Sequence, residues 1–285
     1  MMNKKDDVKT FVVIVVVCVI CVIIGLILSY KKNTDKMVGV TDYNVFFSNV
    51  NYINNYINYV INGNYEAVYN LLDDKYMEDN GITNAYVLQN VGDYSIGASL
   101  SVTDMKYVNV KDNFIYYIKG KIYVNTYNGR EIEDDNFSML VITDVDNSSY
   151  SLYPVDDDNY EKIINSLWKI NVENNQYNGV VDNETINKEQ ICVIYLSDFV
   201  NNIFNDVSSS YELLSNDMKK IYNNSSYRNY ISNNISNIST IADKCKLDEV
   251  DDKRIYTVID ANENKYIFTE NSIMNYEVDF YLNEN

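Results

Sequence analysis

Several places in this chain carry carboxylates or thiols at spacings that could do chemistry. Residues 69 to 76 read YNLLDDKY, which sets Asp73 beside Asp74 behind two leucines. Adjacent carboxylates can serve general acid–base catalysis or bind a divalent cation. The runs DVDNS (144 to 148) and DANEN (260 to 264) begin like calcium loops. Asp156, Asp157 and Asp158 form a third acidic run, and Cys192 and Cys245 are the thiols outside the apolar N-terminal segment.

Each has a plainer reading. A calcium loop needs Gly at its sixth position and Glu at its twelfth. Here those positions hold Ser149 and Val155 in one run, Lys265 and Asn271 in the other. Both runs also fall at expected hairpin turns, where Asp and Asn serve the backbone. The Asp156 to Asp158 run reads as a solvated charge run. Cys192 and Cys245 suit either one disulfide in an oxidising compartment or two buried free thiols, and the sequence favours the thiols. No residue is assigned to catalysis, to a cofactor or to a metal, and the chain reads as a non-enzyme.

The composition narrows the classes further. The chain has 285 residues, a formal charge of -18 and no histidine. Without histidine there is no Ser-His-Asp or Cys-His nucleophile system and no histidine-based zinc site. Acid–base work would fall to Asp, Glu, Lys or Tyr. An acidic chain with scattered Lys and Arg lacks the basic patch that binding to nucleic acid requires, so no nucleic-acid partner is expected.

Thr10 to Tyr30 reads TFVVIVVVCVICVIIGLILSY, uncharged and bounded by Lys9 and Lys31. As a helix rising about 1.5 Å per residue it is long enough for a hydrocarbon layer of roughly 30 Å. No small-x-small cleavage site follows, so an uncleaved anchor is expected, with Cys18 and Cys21 as apolar filler. Lysines flank both ends nearly equally. The layout of a short tail, one anchor and a long acidic region favours the bulk outside the cell membrane.

The elements that position these residues come from an internal repeat. INGNYEAVYNLLDDKY (61 to 76) matches IFNDVSSSYELLSNDM (203 to 218) at an offset of 142. Tyr69, Leu71 and Leu72 meet Tyr211, Leu213 and Leu214; after a two-residue insertion Tyr86 and Val87 meet Tyr230 and Ile231. Asp73 and Asp74 become Ser215 and Asn216. The Tyr-x-Leu-Leu is therefore expected to be framework, and the carboxylates replaceable decoration at a helix end.

In each copy helices precede strands. Phe46, Val50, Ile53, Ile57, Val60 and Ile61 form one apolar stripe of a helix ended by Gly63. Asn64 fits the cap of a second helix with Glu66 in its first turn, Asp206 holds the equivalent position, and a short third helix starts near Thr83. FIYYIKGKIYV (114 to 124) is a long strand whose Gly120 marks a bend or bulge. Hairpins turn near Asp146-Asn147 and at Ala261 to Asn264, and Met274 to Leu282 alternates as a half-buried strand. The predicted class is α+β: an N-terminal transmembrane helix, then two tandem units with helices on one face of a curved antiparallel sheet. The expected bounds are a tail over 1–9, an anchor over 10–30, a linker over 31–42, a first domain over 43–155, a connector over 156–186 and a second domain over 187–285.

An anchor followed by amphipathic helices, Tyr-x-Leu-Leu and a curved sheet resembles the nuclear-transport-factor-2-like, or cystatin-like, cone fold. The YNLLDDKY helix motif and the YTVID, YIF and MNYEV strands (residues 256 to 278) resemble membrane-anchored tandem cone-domain proteins of low-GC Gram-positive bacteria. A fainter likeness is to conjugation-channel scaffold subunits, with no motif matched residue by residue. The resemblance implies an extracytoplasmic binding or scaffold protein that meets the bilayer through residues 10–30 and a protein partner in the envelope. The alternatives are a small-ligand or Asp/Tyr acid–base pocket protein of the cone fold, and a secretion or conjugation channel scaffold subunit. A cone filled by Leu, Ile and Tyr favours the first reading; a deep cavity with an unpaired acid beside a Tyr favours the pocket.

Overall fold

A computed structural model describes residues 37–90, 94–110, 113–126, 129–144, 149–167, 186–251 and 253–283. The expected anchor, the Asp146-Asn147 turn and the Asn-rich passage of residues 171 to 183 lie outside the described residues. Among the described residues no helix is long and apolar enough to cross a membrane.

The chain is α+β with two antiparallel sheets, the main strands of each preceded by a set of helices. In the first unit β1 (Val38–Gly39) precedes α1 (Tyr43–Ile61), α2 (Tyr65–Leu71), α3 (Asp74–Asp79) and a 3-10 helix (Ala85–Asn90). Then come β2 (Ser99–Val110), β3 (Asn113–Thr126), β4 (Gly129–Asp144), β5 (Tyr150–Pro154) and helix α4 (Tyr160–Leu167). The second unit runs α5 (Lys188–Asn205), α6 (Val207–Glu212), α7 (Asn216–Ile221), α8 (Asn224–Asn234), a 3-10 turn (Ile235–Asn237), β6 (Ala242–Val250), β7 (Lys253–Asp260), β8 (Lys265–Ser272) and β9 (Asn275–Tyr281). In both sheets the strands are ordered as in the chain.

The caps are where the sequence placed them. Asn64 Oδ1 accepts from Ala67 N at 3.2 Å, and Asp206 Oδ1 from Ser208 N at 3.0 Å. Gly63 has φ +64°, a left-handed value that suits glycine after a helix. Phe46, Ile53, Ile57 and Val60 face the first core as expected, joined by Tyr52, Tyr56 and Asn49.

Tyr-x-Leu-Leu has a definite structural role in both copies. After α2, Leu72 forms a parallel bridge to Leu152, and Asp73 N donates to Leu152 O at 2.8 Å. After α6, Leu214 bridges Val278, and Ser215 N donates to Val278 O at 3.0 Å. Each junction thus pairs with the outer edge of the last strand of its sheet, leaving fewer free backbone groups on an edge. The leucines pack inward: Leu71, Leu72 and Leu214 are buried.

Gly120 lies where the register of β3 shifts against both neighbours. A Cβ there would be 2.5 Å from Ser101 O, so the bend closes only on glycine.

Three expectations are corrected. The first sheet carries helices on both faces, not one. Val108, Val110, Ile115, Tyr117, Leu140, Ile142, Tyr153 and Ile164 form a second core under α4, opposite the core under α1. The near-continuous apolar run of β3 is the mark of a strand buried on both faces. Next, the helix expected near Thr83 is a 3-10 helix over Ala85–Asn90 that follows α3, and its Tyr86 is 79% exposed while Leu88 is buried. The matched pair Val87 and Ile231 is therefore not equivalent: Val87 faces out and Ile231 in. Last, Met274 is a turn residue with φ +61°, so the final strand begins at Asn275. From there Tyr276, Val278 and Phe280 do alternate inward.

Candidate functional site

Asp73 and Asp74 do not form a joint acidic site. Asp74 is exposed, whereas Asp73 is 1% exposed and caps α3. Asp73 Oδ1 accepts from Lys75 N at 2.9 Å, and Oδ2 from Ser151 Oγ at 2.8 Å. Burial raises its pKa, against the lowering effect of these bonds. The reading of Asp73 as replaceable decoration is corrected: a sequence shows the cap position but not the strand that closes over it.

The other acidic runs serve the backbone. Asp260 Oδ1 accepts from Asn262 N and Asn264 N, both at 2.9 Å. Asp260 Oδ2 accepts from Asn264 Nδ2 at 2.8 Å and Ser239 N at 3.1 Å. These bonds close the hairpin turn. Asp157 bonds to Tyr117 and Lys119 beside α4. Among the described residues no group of three or more His, Cys, Asp or Glu is placed to hold a metal ion. The expected free thiols are corrected as well: Cys192 and Cys245 form a disulfide, with Cα atoms 6.1 Å apart. It ties α5 to the edge strand β6. The 53-residue separation conceals that the inward face of α5 lies over that strand.

Titratable side chains converge at the joint between the two units. Glu270, on β8 of the second unit, is 7% exposed. Its carboxylate accepts from Tyr195 Oη of α5 at 2.6 Å and from Tyr43 Oη of α1. It also forms an ion pair with Arg254 of β7 at 3.4 Å. Tyr43 Oη lies 2.7 Å from Tyr256 Oη, and the Arg254 guanidinium stacks 4.7 Å from the Tyr43 ring. Arg254 also donates to Thr41 O at 3.1 Å, and Ile186 N to Asn44 Oδ1 at 2.6 Å. Burial is the first cause that pushes the Tyr43 and Tyr195 hydroxyls well above their ordinary range. Beside this cluster, Tyr43 and Phe47 pack against both cores, and Ile273 belongs to the first.

A polar notch opens farther along the same joint. Asp198, Asn201 and Asn205 follow one another along one face of α5 and look across at Ser99, Asn125, Thr126 and Arg130 of the first sheet. Asp198 Oδ2 accepts from Tyr276 Oη at 2.6 Å. Burial raises the Asp198 pKa, while that bond and the charge of Arg130 lower it. Arg130 lies 4.0 Å from the centre of the Tyr123 ring. Two further clefts lie open on the first unit, one beside Tyr76 and Lys162, the other beside Tyr65 and Tyr86.

No family model, curated protein or solved structure matches this chain. The likeness to cone-fold proteins stands on the residues quoted for it alone.

Chemically, the Glu270 cluster is closed. Its carboxylate already accepts from two hydroxyls and pairs with a guanidinium, and hydroxyls with raised pKa values stay protonated and are poor bases at neutral pH. None of its members was singled out from the sequence. One signal was there: Tyr266, Phe268 and Glu270 occupy successive inward positions of β8. A charge in such a register needs a buried partner.

Proposed function

We propose that this chain is a membrane-anchored, extracytoplasmic binding or scaffold protein of a bacterial cell envelope, without catalytic activity. It presents two cone-like units to a protein partner from a single anchor at residues 10–30. The observation that carries this reading is the Glu270 cluster. The most reactive-looking group of side chains is taken up by joining the units, through Tyr43 on one side and Tyr195, Arg254 and Tyr256 on the other. A firm joint suits a protein that holds surfaces in a fixed relation. The filled cores of Leu, Ile and Tyr support the same reading. The disulfide between Cys192 and Cys245 supports the address, since such bonds persist in oxidising compartments.

The test is photo-crosslinking in intact cells from exposed positions such as Tyr86 and Ile96. A discrete adduct with one envelope protein is expected. Adducts with cytoplasmic proteins only would refute the reading.

A further inference from the structure

The notch at the joint holds a carboxylate and a guanidinium that face the same space without touching. Asp198 contributes one oxygen to Tyr276 Oη at 2.6 Å, and among the described residues it forms no ion pair. Arg130 forms none either; its guanidinium lies over the Tyr123 ring, 4.0 Å from the ring centre. The positive charge of Arg130 nevertheless acts on Asp198. The two charges lie on different units, so each can keep its place when a ligand comes between them. Around them are neutral donors and acceptors, the amides of Asn125, Asn201 and Asn205 and the hydroxyl of Ser99. The volume of about 360 Å³ falls at the small end of ligand sites, which run roughly 300–1,000 Å³. Clefts between domains are a favoured place for such sites.

We infer that this notch binds a small zwitterion, a free α-amino acid with a polar side chain. Its ammonium group bonds to the Asp198 carboxylate and its carboxylate bonds to the Arg130 guanidinium. A half-buried carboxylate without a cation is costly, and a ligand ammonium offsets that cost. A planar guanidinium presents its donors to a carboxylate in a fork. A neutral polyol would satisfy the amides but leave both charges uncompensated. A dicarboxylate would meet Arg130 and be repelled by Asp198. The zwitterion is the class that satisfies both ends, and the amide-lined wall selects a side chain such as that of glutamine or serine. Because the site draws on both units, an occupied notch reinforces the joint that the Glu270 cluster makes.

The experiment is calorimetric titration of the purified full-length chain with L-glutamine and with L-serine. Each is compared with its N-acetyl derivative, which lacks the ammonium, and its carboxamide, which lacks the carboxylate. D-glucose serves as the polyol. Saturable binding of at least one free amino acid is expected, with both blocked forms weaker by about tenfold or more, as the loss of a charged hydrogen bond implies. Asp198→Asn keeps the acceptor for Tyr276, and it should abolish the advantage of the free amine over the acetylated form. Arg130→Gln should abolish the advantage of the free acid over the amide. No saturable binding of either amino acid up to about 10 mM would overturn the inference. So would equal binding of the blocked forms to the unaltered chain, a comparison that needs no variant to fold. Binding of D-glucose in preference to both amino acids would assign the notch to polyols instead.

Discussion

Asp73 caps α3 and accepts the hydroxyl of Ser151 at 2.8 Å, so the first turn of a helix is fastened to the last strand of its sheet. In the second unit the acid and the alcohol have changed places. Ser215 caps α7, accepts from Met218 N at 3.2 Å and gives its hydroxyl to Asp279 of β9. One fastening is made twice, with the carboxylate on the helix in one copy and on the strand in the other. Asp73 and Ser215 differ at a matched position because their partners differ.

The exchange is testable within one unit. Ser151→Asp sets two carboxylates against each other, and Asp73→Ser leaves the Ser151 hydroxyl without its charged acceptor. Each single change should cost about 1–3 kcal/mol. The double variant, Asp73→Ser with Ser151→Asp, restores one acid facing one alcohol with the two exchanged, and should recover at least half of the summed loss. Strict additivity in denaturant melts would show that the two side chains are not coupled.

Asp73 also gives a pH signature. Its pKa is raised by burial from the ordinary 3.8, so the folded state holds the proton more tightly than the unfolded state. Its contribution is therefore full below about pH 3.8 and is lost as the pH rises through the folded value. Asn also caps helices, so Asp73→Asn should remove this fall and gain on the native chain from acid to neutral pH. Parallel stability–pH curves for the two proteins would contradict it. Asp74→Asn, on the exposed neighbour, should stay within about 0.5 kcal/mol.

The leucines of the same stretch behave differently. Leu72→Ala and Leu214→Ala should each cost about 2–5 kcal/mol, since both empty a packed site beside a strand edge. A loss below about 1 kcal/mol in either, read from denaturant melts, would mean that the junction does not hold the sheet.

Much of this framework was legible in the chain. The stripe from Phe46 to Val60, the caps Asn64 and Asp206, the bend at Gly120 and the alternation from Tyr276 to Phe280 are local patterns, fixed by periods of 3.6 or 2 and by turn chemistry. What stayed hidden depends on partners far away in sequence. Asp73 looked like decoration because Ser151 is 78 residues on, and Cys192 looked unpaired because Cys245 is 53 residues on. The one-turn helices α3 and α7 are too short for a helical period to show. The joint was invisible for the same reason: Tyr43 reaches Glu270 across 227 residues. Of its members, only the inward register of Glu270 on β8 marked it.

At the joint, Glu270→Ala leaves Arg254, Tyr43 and Tyr195 without their common acceptor. Removing one partner of a buried charge pair should cost about 3–5 kcal/mol, and Tyr43→Phe about 0.5–1.5 kcal/mol. Chain cleavage in the connector, followed by gel filtration, should separate the halves of the Glu270→Ala protein and leave the native halves together. Native halves that part as readily as the variant would place the cohesion elsewhere.

The cysteines offer a direct count. Alkylation of the denatured chain should modify two of its four cysteines before reduction and all four after it. Reduction should lower stability by about 2–5 kcal/mol. Four modified cysteines without reduction would contradict the bond.

The central claim is that the folded units stand outside the cell on an uncleaved anchor. Protease added to intact protoplasts tests it most directly, followed by immunoblotting for the C-terminal strands. The units are expected to be lost from intact protoplasts and a short fragment ending near residue 35 to remain with the membrane. Units that stay protected in intact protoplasts, and become cleavable only on lysis, would contradict it.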